Sequence, residues 1–182
     1  MSDVIIEVPT ERTVVIEVPR TAATFTSTVK HQVKLAESVT KGQAVYISGS
    51  NGTNMLASKA SNASEATSSK TMGLVEASGS TNAFVNVVTE GLLAGLNTNS
   101  ANAGDYVWLG TNGNLLYGLA NKPASPAHLV FIGVVTRKNA NNGEIFVRPQ
   151  NGFELQELHN VLITNPQAGD VLTYNGTLWV NS

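Results

Sequence analysis

The chain has 182 residues, 42% of them hydrophobic and 13% charged, with a formal net charge of −2 and no cysteine. That composition supports a packed core, and its scattered basic residues offer no footprint for nucleic acid or an acidic membrane. Without cysteine there is neither a disulfide framework nor a thiolate metal site.

No apolar run approaches the ~20 residues that a bilayer-crossing helix needs. Glu7 and Pro9 break the N-terminal apolar stretch and no basic segment precedes it, so a signal peptide is not expected. Asn, Ser, Thr and Gly carry most of the polarity. These residues suit tight turns, and an all-β fold is predicted.

The first predicted elements are two near-identical strands, "VIIEVP" at 4–9 and "VVIEVP" at 14–19. Each is ended by a proline, which cannot donate to a ladder. Val4, Ile6 and Val8, then Val14, Ile16 and Val18, alternate so that each strand has one apolar face. Left bare, such strands invite aggregation. Either they form a hairpin through "TERT" over the chain's own core, or each adds a strand to a sheet edge or groove on a partner. The ten-residue repeat favours the second arrangement, because linked docking segments raise one another's effective concentration. These six residues are the candidate partner-docking set, on an anchoring arm spanning 1–22.

Residues 23–152 read as a duplicated β-domain, with repeats at about 41–95 and 103–152. "KGQAVYISGSNGTNMLA" parallels "AGDYVWLGTNGNLLYGLA", and "MGLVEASGSTNAFVNVVTEG" parallels "IGVVTRKNANNGEIFVRPQNG". Gly42 to Gly104, Gly73 to Gly133 and Gly91 to Gly152 are separated by 62, 60 and 61 residues, a steady offset. Each copy is expected to hold two hairpins. Asn51-Gly52 and Asn112-Gly113 mark the first turn of each copy, and "VYIS" and "YVWL" are strand-forming. The joining segments 58–71 and 121–127 read as loops. The expected architecture is an internally duplicated antiparallel β-sandwich or barrel, with an extended N-terminal arm and a C-terminal β-hairpin.

Residues 153–182 form the third part: a bend with a turn or two of helix in 153–162, then "AGDVLTYNGTLWV", a shortened echo of the repeat. An isolated hairpin is marginal in water. Its Leu172, Tyr174, Leu178 and Trp179 are therefore the candidate oligomer interface, preferably against neighbouring chains.

Catalytic patterns are weak. His31, His128 and His159 have no second ligand at metal spacing and read as surface or packing residues. Asp105 and Asp170 sit in repeated Gly-Asp turns, where aspartate bonds its own backbone. Glu76 and Glu90 flank one hairpin, but the matching positions of the second copy are near Thr136 and Asn151, which argues against a glycosidase pair. Tyr46, Tyr106, Trp108, Tyr117, Tyr174 and Trp179 would suit sugar stacking, although alternating strand aromatics are more often core or interface.

Taken together, "GQAVYI", "GLVEASGSTNAFVNVVTEGLL", "NAGDYVWLGTNGNLL" and "FIGVVTRKNANNGEIFVRP" resemble the small β-domains of bacteriophage head-decoration and fibre proteins. The end of the chain is similar to a short "GDVL-Y-NG-WV" module of phage tail fibres. This resemblance implies a β-rich fold, frequent trimers and no enzymatic activity. It leads to the expectation of a non-enzymatic virion structural protein, assembled in the host cytoplasm: a trimeric tail-fibre or appendage component docked through its N-terminal strands. A capsid decoration (cement) protein is the first alternative, and a carbohydrate-binding module recognising the host surface the second. The expected partners are other copies of the chain, as a homotrimer, and other virion proteins of tail or capsid, with a host-surface glycan under the second alternative. No nucleic acid, membrane, metal or cofactor is expected.

Overall fold

The computed structural model describes residues 4–8, 12–16 and 28–182. Fourteen strands and three short helical turns make up the described chain, so the all-β class read from the sequence is the one adopted.

The two N-terminal phrases pair with each other. Strand β1 (Val4–Val8) runs antiparallel to β2 (Arg12–Ile16), with Val4 opposite Ile16 and Val8 opposite Arg12. Val18 lies outside the described residues.

The first copy is a closed barrel of five strands: β3 (Val29–Leu35), β4 (Ala44–Ser50), β5 (Met55–Lys59), β6 (Thr71–Val75) and the first half of β7 (Phe84–Leu96). β5 pairs antiparallel with β4, β4 with β6, β6 with β7 and β7 with β3. A parallel pairing of β3 with β5 closes the ring. Val33, Leu35, Val45, Ala57, Val75, Val85 and Val87 fill its interior. These are mainly β-branched side chains of modest volume, as a narrow barrel requires.

The second copy comprises the end of β7, β8 (Tyr106–Leu109), β9 (Leu115–Tyr117), β10 (Val130–Arg137) and β11 (Gly143–Asn151). Its order, β7-β11-β10-β8-β9, is the cyclic order of the first copy without the closing pair. The registers correspond. Val45 faces Gly73 and Tyr46 faces Thr71 in the first copy; Val107 faces Gly133 and Trp108 faces Phe131 in the second, each with an irregularity between the two pairs. Gly73 and Gly133 are equivalent for a steric reason: a Cβ at either would collide with a backbone carbonyl, of Val88 or of Phe146. The match is not complete, since Leu74 faces Val88 whereas Val134 faces Phe146, two residues out of step.

Each copy therefore has one strand more than its two hairpins supply. In the second copy that strand is fused to the last strand of the first, and β7 serves both.

Instead of closing, the second copy binds the first through its turn. Asn112 and Gly113 take left-handed φ values of 56° and 76°, as an Asn-Gly hairpin turn requires. The turn's Gly113 carbonyl accepts from Ala44 N (2.9 Å), Gly113 N donates to Ala60 O (2.6 Å), and Asn62 N donates to Gly110 O (3.0 Å). Behind this seam the second sheet lies over the outside of the first barrel. Ala44, Leu74 and Val88 thus share a core with Val107, Leu109, Ile132 and Ile145. Strands β4, β6 and β7 are buried on both faces, which explains the consecutive apolar pairs Ala44-Val45, Leu74-Val75 and Val87-Val88.

Short helix α1 (Glu65–Ser68) occupies the first joining segment, which the sequence suggested was all loop. Two 3-10 turns follow, at Leu119–Asn121 and Leu155–Glu157, the second within the stretch expected to bend. The chain ends in a separate three-stranded sheet: β12 (Val161–Leu162) parallel to β14 (Trp179–Asn181), and β13 (Leu172–Tyr174) antiparallel to it.

Candidate interaction surfaces

Of the six docking residues, the register places Val4 opposite Ile16 and Ile6 opposite Val14. The arm is thus one two-stranded ribbon rather than two separate strands. Among the described residues no other strand pairs with its outer edges, whose backbone groups an adjacent sheet can use.

The C-terminal sheet is the least covered part of residues 28–182. No side chain of residues 153–182 is buried. Tyr174 and Trp179 face each other across the hairpin, rings 5.5 Å apart, with Leu172 exposed beside them and Leu178 half-buried in the turn. Polar bonds set the shape of this sheet. Asp170 accepts from Gln167 N (3.0 Å) and Asn181 Nδ2 (2.7 Å), and these bonds, the backbone one foremost, hold its carboxyl below the usual range. Asn175 Oδ1 caps the turn by accepting from Thr177 N and Leu178 N, both at 2.9 Å. Asp105 repeats the arrangement, accepting from Asn102 N at 2.8 Å. Both aspartates are turn formers.

The segment leading into the sheet meets the duplicated body at a histidine. His128 Nδ1 lies 3.1 Å from Glu65 Oε2 and 3.0 Å from Glu154 Oε1, so α1, the second joining segment and the start of the C-terminal part meet at one ring. His128 N also donates to Asn62 O (2.8 Å), and Gly152 N to Leu129 O (2.7 Å). Sequence reasoning missed this cluster because its members are 63 and 26 residues away from His128 (128 − 65 and 154 − 128). Among the described residues no group of three His, Asp or Glu side chains is arranged to hold a metal ion. His31 sits near Thr89 Oγ1 (3.3 Å), and His159 is exposed.

The aromatic candidates do not form one platform. Tyr46 and Tyr117 pack against the core shared by the two copies. Trp108, only 8% exposed, packs tilted against Tyr106 and edge-to-face with Phe131 on the outside of the second sheet and donates from Nε1 to Gly118 O (3.0 Å). Tyr106 is the open member of that group. Glu76 is ion-paired with Lys30 and bonded to Asn86 Nδ2 (3.2 Å); the Lys30 bond most of all lowers its titration range. Glu90 opposes Val29 at the far end of the β3–β7 ladder.

No family model and no curated protein sequence matches the chain.

Proposed function

We propose that the chain is a non-enzymatic structural protein of a bacteriophage virion, a homotrimeric tail-fibre or appendage component that docks through its N-terminal strands. One observation carries the self-assembling part of this reading: the C-terminal sheet holds Leu172, Tyr174 and Trp179 exposed with no buried side chain around them. A three-stranded sheet without a covered apolar face lacks the usual source of independent stability. Exposed aromatic and aliphatic side chains on such a sheet belong against another protein surface. The virion assignment rests on the resemblance of the duplicated β-domain and its terminal module to phage fibre and head-decoration domains.

The test is localisation. Antibody labelling of intact particles, imaged by electron microscopy, places copies on the tail appendage if the proposal holds. Label confined to the head favours the decoration role, and purified particles that lack the chain sink the virion reading.

A further inference from the structure

The C-terminal sheet is the first three strands of the repeated unit. In the first copy the chain runs β3, β4, β5 and the sheet order is β3-β5-β4, parallel and then antiparallel. At the C-terminus it runs β12, β13, β14 and the order is β12-β14-β13, again parallel and then antiparallel. The loops correspond too. Thr40 N donates to Gln43 Oε1 (2.8 Å) and Gln43 N to Thr40 O (3.0 Å); Gln167 N donates to Asp170 Oδ2 (3.0 Å) and Asp170 N to Gln167 O (3.1 Å). Leu35 precedes Gly42 by seven residues, and Leu162 precedes Gly169 by seven.

What this third unit lacks is the β6–β7 hairpin. In the first copy β6 pairs with β4, β7 pairs with β3, and Val75, Val85 and Val87 cover the interior. Without that hairpin the interior positions lie open. The Leu35–Ala57 pair, fully buried, corresponds to Leu162–Val180, of which Leu162 is 51% exposed and Val180 half-buried.

We propose that the missing hairpin is the β1–β2 ribbon of a second copy of this chain. β1 would lie beside β13 in the place of β6, and β2 beside β12 in the place of β7. The ribbon has the right form: two antiparallel strands, with five residues in β1 as in β6. Its register and two-residue period put Val4, Ile6, Val8, Val14 and Ile16 on one face, with Arg12 opposite Val8 at its end; apart from Arg12 that face is apolar, like the one that β6 and β7 turn inward. The donor is a neighbour, because Leu162 stays open in the single chain. Chain-to-chain donation is heterologous, so it closes into a ring or continues as a filament, and a ring of three gives the trimer. The inference rests on reading both terminal segments as docking elements, and it names each as the partner of the other.

Two full-length variants test it. Ile6→Asp/Ile16→Asp spoils the ribbon and keeps the receiving sheet; Leu162→Asp/Val180→Asp spoils the sheet and keeps the ribbon. Light scattering coupled to size exclusion should show the wild-type chain as an oligomer and each variant as a single chain. An equimolar mixture should yield a complex of two chains, because one functional junction remains. In the mixture, amides of residues 161–182 should exchange more slowly only in the chain with the intact sheet. A monomeric wild type, variants that keep its mass, or a mixture without pairs overturns the proposal. Loss of pairing with label still on particles would spare the virion reading; pairing without particle label would sink that reading alone.

Discussion

Replacing Leu74 with alanine tests whether the two copies share one core. Leu74 is fully buried on the outer face of the first barrel, in a row with Ala44 and Val88 that lies beneath the second sheet. Truncating a buried leucine removes its transfer free energy and leaves a cavity, a loss of about 2–5 kcal/mol. The site has sheet on both sides and little room to collapse, so about 3 kcal/mol is expected, roughly a hundredfold in the folding equilibrium. Typical domains hold only about 5–15 kcal/mol in total.

The reporter for this change should sit in the other copy. Trp108 belongs to the second sheet, and in a Trp179→Phe background it is the sole tryptophan. Urea unfolding followed by Trp108 fluorescence should give one transition, with a lower midpoint and an unchanged slope. A Trp108 transition that does not move, or a loss below about 1 kcal/mol, would refute the shared core.

Three other predictions follow from individual contacts. Gly73→Ala and Gly133→Ala should each cost more than about 4 kcal/mol, because each new methyl meets a backbone carbonyl that has no room to retreat; circular dichroism melts check this, and a mild effect at either site would contradict the steric equivalence. The Lys30 ammonium, chiefly, lowers the Glu76 titration range, so their pairing adds stability that is present above the ordinary carboxylate pKa and lost as pH falls through the lower folded value. Lys30→Met should therefore flatten the acid limb of the stability–pH profile, and an unchanged limb would contradict that linkage. Asp170→Ala removes acceptors from Gln167 N and Asn181 Nδ2, and hydrogen exchange should then quicken across residues 161–182 while the β3–β11 body keeps its protection.

The hairpin turns and the glycine landmarks made the duplication legible, because Asn-Gly pairs and close-approach glycines have few substitutes. The first strand of each copy was not legible. "VKHQVKL" buries only Val33 and Leu35, and its partner in the second copy continues directly from "FVNVVTEG" with no turn between them. The three-stranded form of the C-terminus was hidden likewise, since β12 has two residues and is defined by pairing, not by pattern. The Glu65–His128–Glu154 meeting point is tertiary, and no local signal precedes it. The N-terminal repeat left two arrangements open, and the ribbon pairing is a matter of register between its strands.

Strand β7 lies where any load carried along the protein would pass. Its thirteen residues ladder with β3 and β6 on one stretch and with β11 on the next, so no slack linker separates the copies. Antiparallel ladder bonds stand perpendicular to their strands, and a pull along β7 would strain many of them in shear at once instead of unzipping them singly. A chain stressed from end to end would then yield outside β7 before the two copies part.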